Sequence, residues 1–188
     1  MQSIRALTRE HGLILLQLDN LSLARERLET GRWPPQEFFA EALVFAREFA
    51  ERFHHFKEEF LLFGMLAQKK EGRLDADIGA LRYQHERCRQ ALAEIERALP
   101  GYGSRDEFAA TALAAGVSGY VTLLRRHIFL EDQVFFPLAA RVLTEDEDAE
   151  LLRHFREEEE REAGRDFMAE GRRRVEAMVV ILAQYTGA

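Results

Sequence analysis

The stretch FHHFKEEFLLF, residues 53–63, sets two histidines and two glutamates inside a phenylalanine-rich segment. His54 precedes Glu58 by four residues, and His55 precedes Glu59 by four. Four residues is just over one α-helical turn, so each His–Glu pair shares a face. The apolar stripe decides which pair turns inward. It comprises Phe38, Phe45, Phe49, Phe53, Phe56, Phe60 and Phe63. With Phe56 as reference and about 100° per residue, Glu59 falls about 60° from the stripe and His55 about 100°. Glu58 and His54 fall about 160° away, on opposite sides. The spacing favours His55 and Glu59 as the inward pair and reads His54 and Glu58 as a solvated pair.

Outward from this segment, helical periodicity fills the chain and alternating β-patterns are absent. Proline and glycine cluster in ETGRWPPQ (29–36), KKEGRLDAD (69–77) and PGYGSRDE (100–107), and these mark the breaks. Ser104 to Glu107 and Thr144 to Glu147 both read as capping boxes that open helices. Five segments result: 3–29, 35–68, 77–99, 105–142 and 145–184. Four long helices with short connections predict an all-α, up-down-up-down four-helix bundle over 1–143. Residues 144–188 form a C-terminal helical extension packed on it, split near Gly164 or Gly171. Its REEEERE run and His154 read as solvated or interhelical surface.

Three other helices carry a polar interruption in a core-facing stripe. The first runs Ile4, Leu7, His11, Ile14, Leu18, Leu21; the third runs Ile78, Leu81, His85, Cys88, Leu92, Ile95, Leu99. The fourth runs Tyr120, Leu124, His127, Glu131, Val134, Leu138. A buried ionisable group is costly unless it is paired or binds a metal. In antiparallel helices with a rise of about 1.5 Å per residue, His11, His55, Glu59, His85, His127 and Glu131 all lie roughly 12–22 Å from one bundle end. Four histidines at one level, with two carboxylates able to bridge, form a candidate two-metal site. The histidines would be terminal ligands and Glu59 and Glu131 the bridges. Imidazole suits iron, zinc, copper and nickel, and carboxylates are hard oxygen donors. Tyr83, Tyr120 and the phenylalanines read as core, leaving a small apolar pocket beside the site.

Composition narrows the classes further. The chain has 188 residues, is 47% hydrophobic and carries a formal net charge of −7. That balance argues against nucleic acid as a partner, because Arg172–Arg174 alone is a short basic cluster. The single cysteine, Cys88, allows no internal disulfide and fits a reducing, cytoplasmic setting. It reads as a small buried hydrophobe. The N-terminus shows no signal-peptide pattern, and no apolar run approaches the ~20 residues of a membrane helix, so no membrane is expected.

The motifs EHGLI with His11, HFKEEFLLF with His55 and Glu59, QHERCR with His85 and HIFLEDQVFFPLA with His127 and Glu131 resemble the bacterial hemerythrin-like, or HHE cation-binding, proteins. The resemblance covers about residues 1–140. It implies a four-helix bundle holding two non-haem iron ions, oxo- or hydroxo-bridged, that meet O2, NO or peroxide in sensing, delivery or protection. Zinc or manganese are possible substitutes for iron. Two rival readings are a di-iron oxidase, peroxidase or iron-oxidising enzyme, and a metal-dependent regulatory module. The chain departs from the oxygen-carrying hemerythrins in two places. Their third helix supplies histidines four apart, whereas His85 has Leu81 and Arg89 at those positions. Their last pair is His-x4-Asp, and here it is His127-x3-Glu131. A missing imidazole shifts the expectation from reversible carriage towards sensing or redox chemistry.

Overall fold

The computed structural model describes residues 1–69, 72–161 and 166–185. Among them are six helices and no strand. Helix α1 spans Gln2–Glu29. Helix α2 spans 36–67 and starts directly after Pro34 and Pro35, which have no N–H to leave unsatisfied. Helix α3 is Asp75–Gly103 and α4 is Glu107–Val142. The extension supplies α5, Glu145–Arg161, and α6, Phe167–Gln184. Gly164, one of the two predicted break points, lies outside the described residues, as do Lys70, Glu71 and Glu162.

Two helices are not α-helical throughout. In α2, Ala46–His55 and Lys57–Leu62 are π-helical, and in α4 Glu131–Phe135 is. A π-turn closes i→i+5 bonds and so holds more residues per turn than an α-turn. All three π segments carry residues of the candidate site.

The helix starts test the predicted caps. Thr144 and Glu147 form the expected box: Thr144 N donates to Glu147 Oε2 at 2.8 Å, and Glu147 N donates to Thr144 Oγ1 at 3.3 Å. At α4 the cap is Asp106, not Ser104, with Phe108 N donating to Asp106 Oδ1 at 2.9 Å. Ser104 instead ends α3, and Arg105 turns the chain at φ 63°.

Helix α4 has 36 residues and a window of mean hydropathy 1.3, which by length and composition is apolar enough to cross a membrane. This corrects the expectation that no stretch reaches that range. Its buried side chains, among them Leu113, Val117 and Leu124, belong to the bundle core. Gly116 permits close approach to α3, since a Cβ there would stand 3.0 Å from Ile95 Cγ1.

The extension fills the seam between α1 and α2. Asp148 of α5 accepts from the backbone N–H groups of Gln2 and Ser3, at 2.7 and 3.0 Å, and so caps the start of α1. Gly171 of α6 sits where a Cβ would meet Phe49 and Leu13 within 3 Å. Gly171 is thus a packing position inside a helix and not a break.

The core divides in two. One apolar cluster includes Leu13, Phe49, Phe53, Cys88, Leu124 and Ile128. The other includes Leu7, Leu62, Phe63, Leu81, Phe135 and Phe136. Along α1, α2 and α3 the boundary between them falls at the histidines, and along α4 it falls at Glu131. A polar layer therefore crosses the bundle at one level.

Candidate metal centre

Five histidines and two glutamates make up that layer, and all seven are buried. His11 comes from α1; His54, His55 and Glu58 from α2; His85 from α3; His127 and Glu131 from α4. Their donor atoms fall into two groups: His55, Glu58, His85 and His127, and His11, His54, Glu58 and Glu131. Within each group the donor atoms lie within 4.8 Å of one another. Donors bound to one cation at about 2.0–2.2 Å stand up to ~4.4 Å apart, so each group needs only slight contraction to close on an ion.

Glu58 belongs to both groups. Its Oε1 lies 3.3 Å from His54 Nε2 and 3.8 Å from His11 Nε2, while Oε2 lies 3.4 Å from His85 Nε2. Glu131 Oε2 sits between His11 Nε2 at 3.2 Å and His127 Nε2 at 3.0 Å. The Nε2 atoms of His11, His54 and His55 and all four oxygens of Glu58 and Glu131 lack a hydrogen-bond partner. So many buried, unsatisfied polar atoms at one point would be prohibitive without a ligand. Their composition, imidazole nitrogens and carboxylate oxygens, fits cations.

The outward nitrogen of every ring is held. Nδ1 of His11 donates to Asp132 at 2.9 Å, of His54 to Glu10 at 2.8 Å and of His55 to Glu51 at 3.1 Å. Nδ1 of His85 donates to Glu59 at 2.7 Å and of His127 to Gln84 Oε1 at 2.9 Å. These bonds fix the tautomer that points the Nε2 lone pair inward, as metal-binding imidazoles require. Arg89 then forks across two of the acceptors, reaching Glu51 and Glu59 at 3.0 Å each. Lys57 pairs with Glu10 on the other side. The carboxylates that face the rings outnumber these two cations, and that excess of negative charge suits divalent cations.

The same charges shift the titration of the rings and of the inward carboxylates. Burial alone would lower His11, but Asp132 and Glu131 outweigh it and hold the ring at about 10. Burial is likewise outweighed at His85 by Glu58 and Glu59, which raise it to about 9. His54 is raised too, as burial loses to Glu58 and Glu10. His55 goes the other way, to about 4, through burial and the neighbouring His85. Glu131 is held at about 2: burial and Glu58 oppose its charge, and His127 and His11 overcome them.

The structure brings together five of the six residues the sequence singled out: His11, His55, His85, His127 and Glu131. Glu59 is not among the converging donors. Its carboxylate faces outward, where His85 and Arg89 donate to it and hold it at about 2 against partial burial. Glu58 takes the inward place, and His54, read as solvated, is fully buried beside it. The physical reason is the π-helix. Phe56 is only half-buried and Phe60 is 65% exposed, so neither belongs to the stripe used as reference. The stripe runs through Phe45, Phe49 and Phe53 and resumes at Leu62 and Phe63. Strict four-residue spacing drifts about 40° per step on an α-helix and is better followed by a wider turn. That spacing was the available signal. His54 brings a fifth buried imidazole to the layer, where Leu81 and Arg89 add none on α3.

Comparison with known proteins places this geometry in a class. The hemerythrin HHE cation-binding domain model matches residues 2–139, and the chain belongs to that family. An uncharacterized protein of Mycobacterium tuberculosis is 29% identical over 158 residues, 84% of this chain and 61% of the relative. The iron-sulfur cluster repair protein YtfE of Yersinia pseudotuberculosis is 28% identical over 143 residues, 72% of this chain and 63% of the relative. The chain therefore spans about three fifths of the length of these curated relatives. No solved structure matches it.

Proposed function

We propose that the chain carries a dinuclear non-haem iron centre and uses it to bind O2, NO or peroxide for sensing, delivery or protection. The observation that carries this reading is the division of seven buried donors into two groups that share a carboxylate. His55, His85 and His127 would serve one ion, His11 and His54 the other, with Glu58 and Glu131 shared. Two ferrous ions there would supply electrons and an exchangeable coordination position to a small oxidant or diatomic ligand. The His11–His54 half has one imidazole fewer, which makes it the side for an exogenous ligand.

The surrounding residues suit that role. Phe136 stacks on His11 at 5.5 Å and Phe63 on His85 at 6.1 Å, shielding the rings from water. The outer carboxylates and Gln84 hold the imidazoles in one orientation through any change of charge at the centre. The name of the YtfE relatives, iron-sulfur cluster repair, favours a protective role, since such clusters are damaged by the same small oxidants. Metal analysis after expression in iron-replete medium should give about two irons per chain, with ligand-to-metal charge-transfer bands. The ferrous protein is then exposed to O2 and to NO. A stable spectrum reversed under vacuum supports binding. Rapid oxidation with consumption of peroxide would favour catalysis, and a protein that retains no metal would overturn the proposal.

A further inference from the structure

Lys57 is 1% exposed, and lysine is seldom buried so deeply unless paired. Its ammonium donates to Glu10 Oε1, lies 3.5 Å from the centre of the Phe53 ring and stands 3.6 Å from Glu159 Oε1. Phe155 closes a further side, 5.3 Å away. Glu10 divides its oxygens: Oε1 takes Lys57, and Oε2 takes the Nδ1–H of His54. A continuous chain of contacts therefore runs from a donor of the centre to α5. Glu159 and Phe155 both lie beyond residue 139, outside the part of the chain that the family model matches. The remaining outer supports, Asp132, Glu51, Glu59, Gln84 and Arg89, all belong to α2, α3 and α4.

We propose that Lys57 is a positioning residue for the His11–His54 half, and that α5 holds it in place, so the C-terminal extension sets how firmly that half keeps its cation. The inference rests on the metal reading above. Without Lys57, Glu10 keeps only His54 and loses the ammonium that neutralises its other oxygen, and a buried carboxylate so placed turns away towards water. His54 then loses the acceptor that orients it, while His55, His85 and His127 keep theirs. The half already short of one imidazole is the half that weakens.

The full-length chain is titrated anaerobically with Co(II), whose ligand-field absorption reports the donor set of each ion. Wild type should take up two ions in separable steps. Lys57→Met should weaken the second step about 10–100-fold, and its one-ion spectrum should match that of His54→Gln. In a Glu10→Gln background the same change should add nothing, because Lys57 acts through that carboxylate. Glu159→Gln alters a partly exposed side chain and decides the matter if Lys57→Met does not fold; it should weaken the second step by about threefold or more. Wild-type affinity in Glu159→Gln and Lys57→Met, or equal losses in both steps, would overturn the inference and leave the metal reading standing. A wild-type chain that takes no cobalt would sink both.

Discussion

His85 and His127 bring their Nε2 atoms within 2.9 Å of each other while each Nδ1 already donates outward, to Glu59 and to Gln84. Two neutral rings in that tautomer would meet lone pair to lone pair, so a proton or a cation must lie between them. His11 is in the same position, held at about 10 against burial by Asp132 and Glu131. Cations entering near pH 7.5 must therefore displace protons. Uptake of two divalent ions should release about two protons per chain. Calorimetry in buffers of different ionisation enthalpy measures this, and a release near zero would mean that the rings are neutral before binding.

The same groups set how the cation-free chain responds to pH. His11 and His85 have folded values near 10 and 9, above the ordinary 6.5. A raised value contributes stability that is complete below 6.5 and lost as pH climbs through the folded value. His55, lowered to about 4, acts only below 6.5 and in the opposite sense. The cation-free protein should thus be most stable near pH 6.5 and lose on the order of 5–10 °C in Tm by pH 10. The loaded protein should not follow this course, because its affinity rises as the histidines deprotonate. Melting curves of both forms across that range provide the check.

Glu58 and Glu59 are adjacent in sequence but separated by function. Glu58→Gln replaces a carboxylate shared by both donor groups and should reduce bound metal from two ions to one or fewer. Glu59→Gln removes an outward support of His85 and should leave two ions bound, with affinity lowered about 10-fold. Metal content after exhaustive dialysis separates the two cases. The reverse order of severity would restore Glu59 as the shared ligand.

Arg89 spans the carboxylates that orient His55 and His85. Arg89→Met should weaken the three-histidine half by about 10-fold, and Arg89→Lys should recover only part, because an ammonium cannot fork across both acceptors. Cobalt titration reads the affinity. An unchanged first step in Arg89→Met would show that Glu51 and Glu59 hold their places unaided.

The level of the centre was legible in the sequence because it needs only the rise per residue. Each of four helices interrupts its stripe at a similar distance from one end, and the two apolar clusters meet at those interruptions. Which residues turn inward was harder, because facing depends on an angle that accumulates error along the helix. Assuming 100° per residue through Ala46–His55 and Lys57–Leu62 rotated Glu59 inward and Glu58 outward. The same kind of drift placed Val134 in the stripe of α4, although it lies at the surface, and Tyr83, read as core by residue type alone, is 62% exposed. Lys57 was invisible for a different reason: its partners Glu10 and Glu159 come from distant parts of the chain, and pattern alone pairs no residues across such distances.

The widened turns of α2 give the centre a weakness that no ligand position reveals. Between Ala46 and Phe53 the helix stores its register as a number of residues, and none of those eight is a donor. Losing a single one would let the coil tighten and swing His54, His55 and Glu58 through about a quarter turn relative to the preceding stretch. Every donor side chain would survive, yet the donors would disperse. For this fold, chain length within one helix is as much a determinant of chemistry as the identity of the histidines.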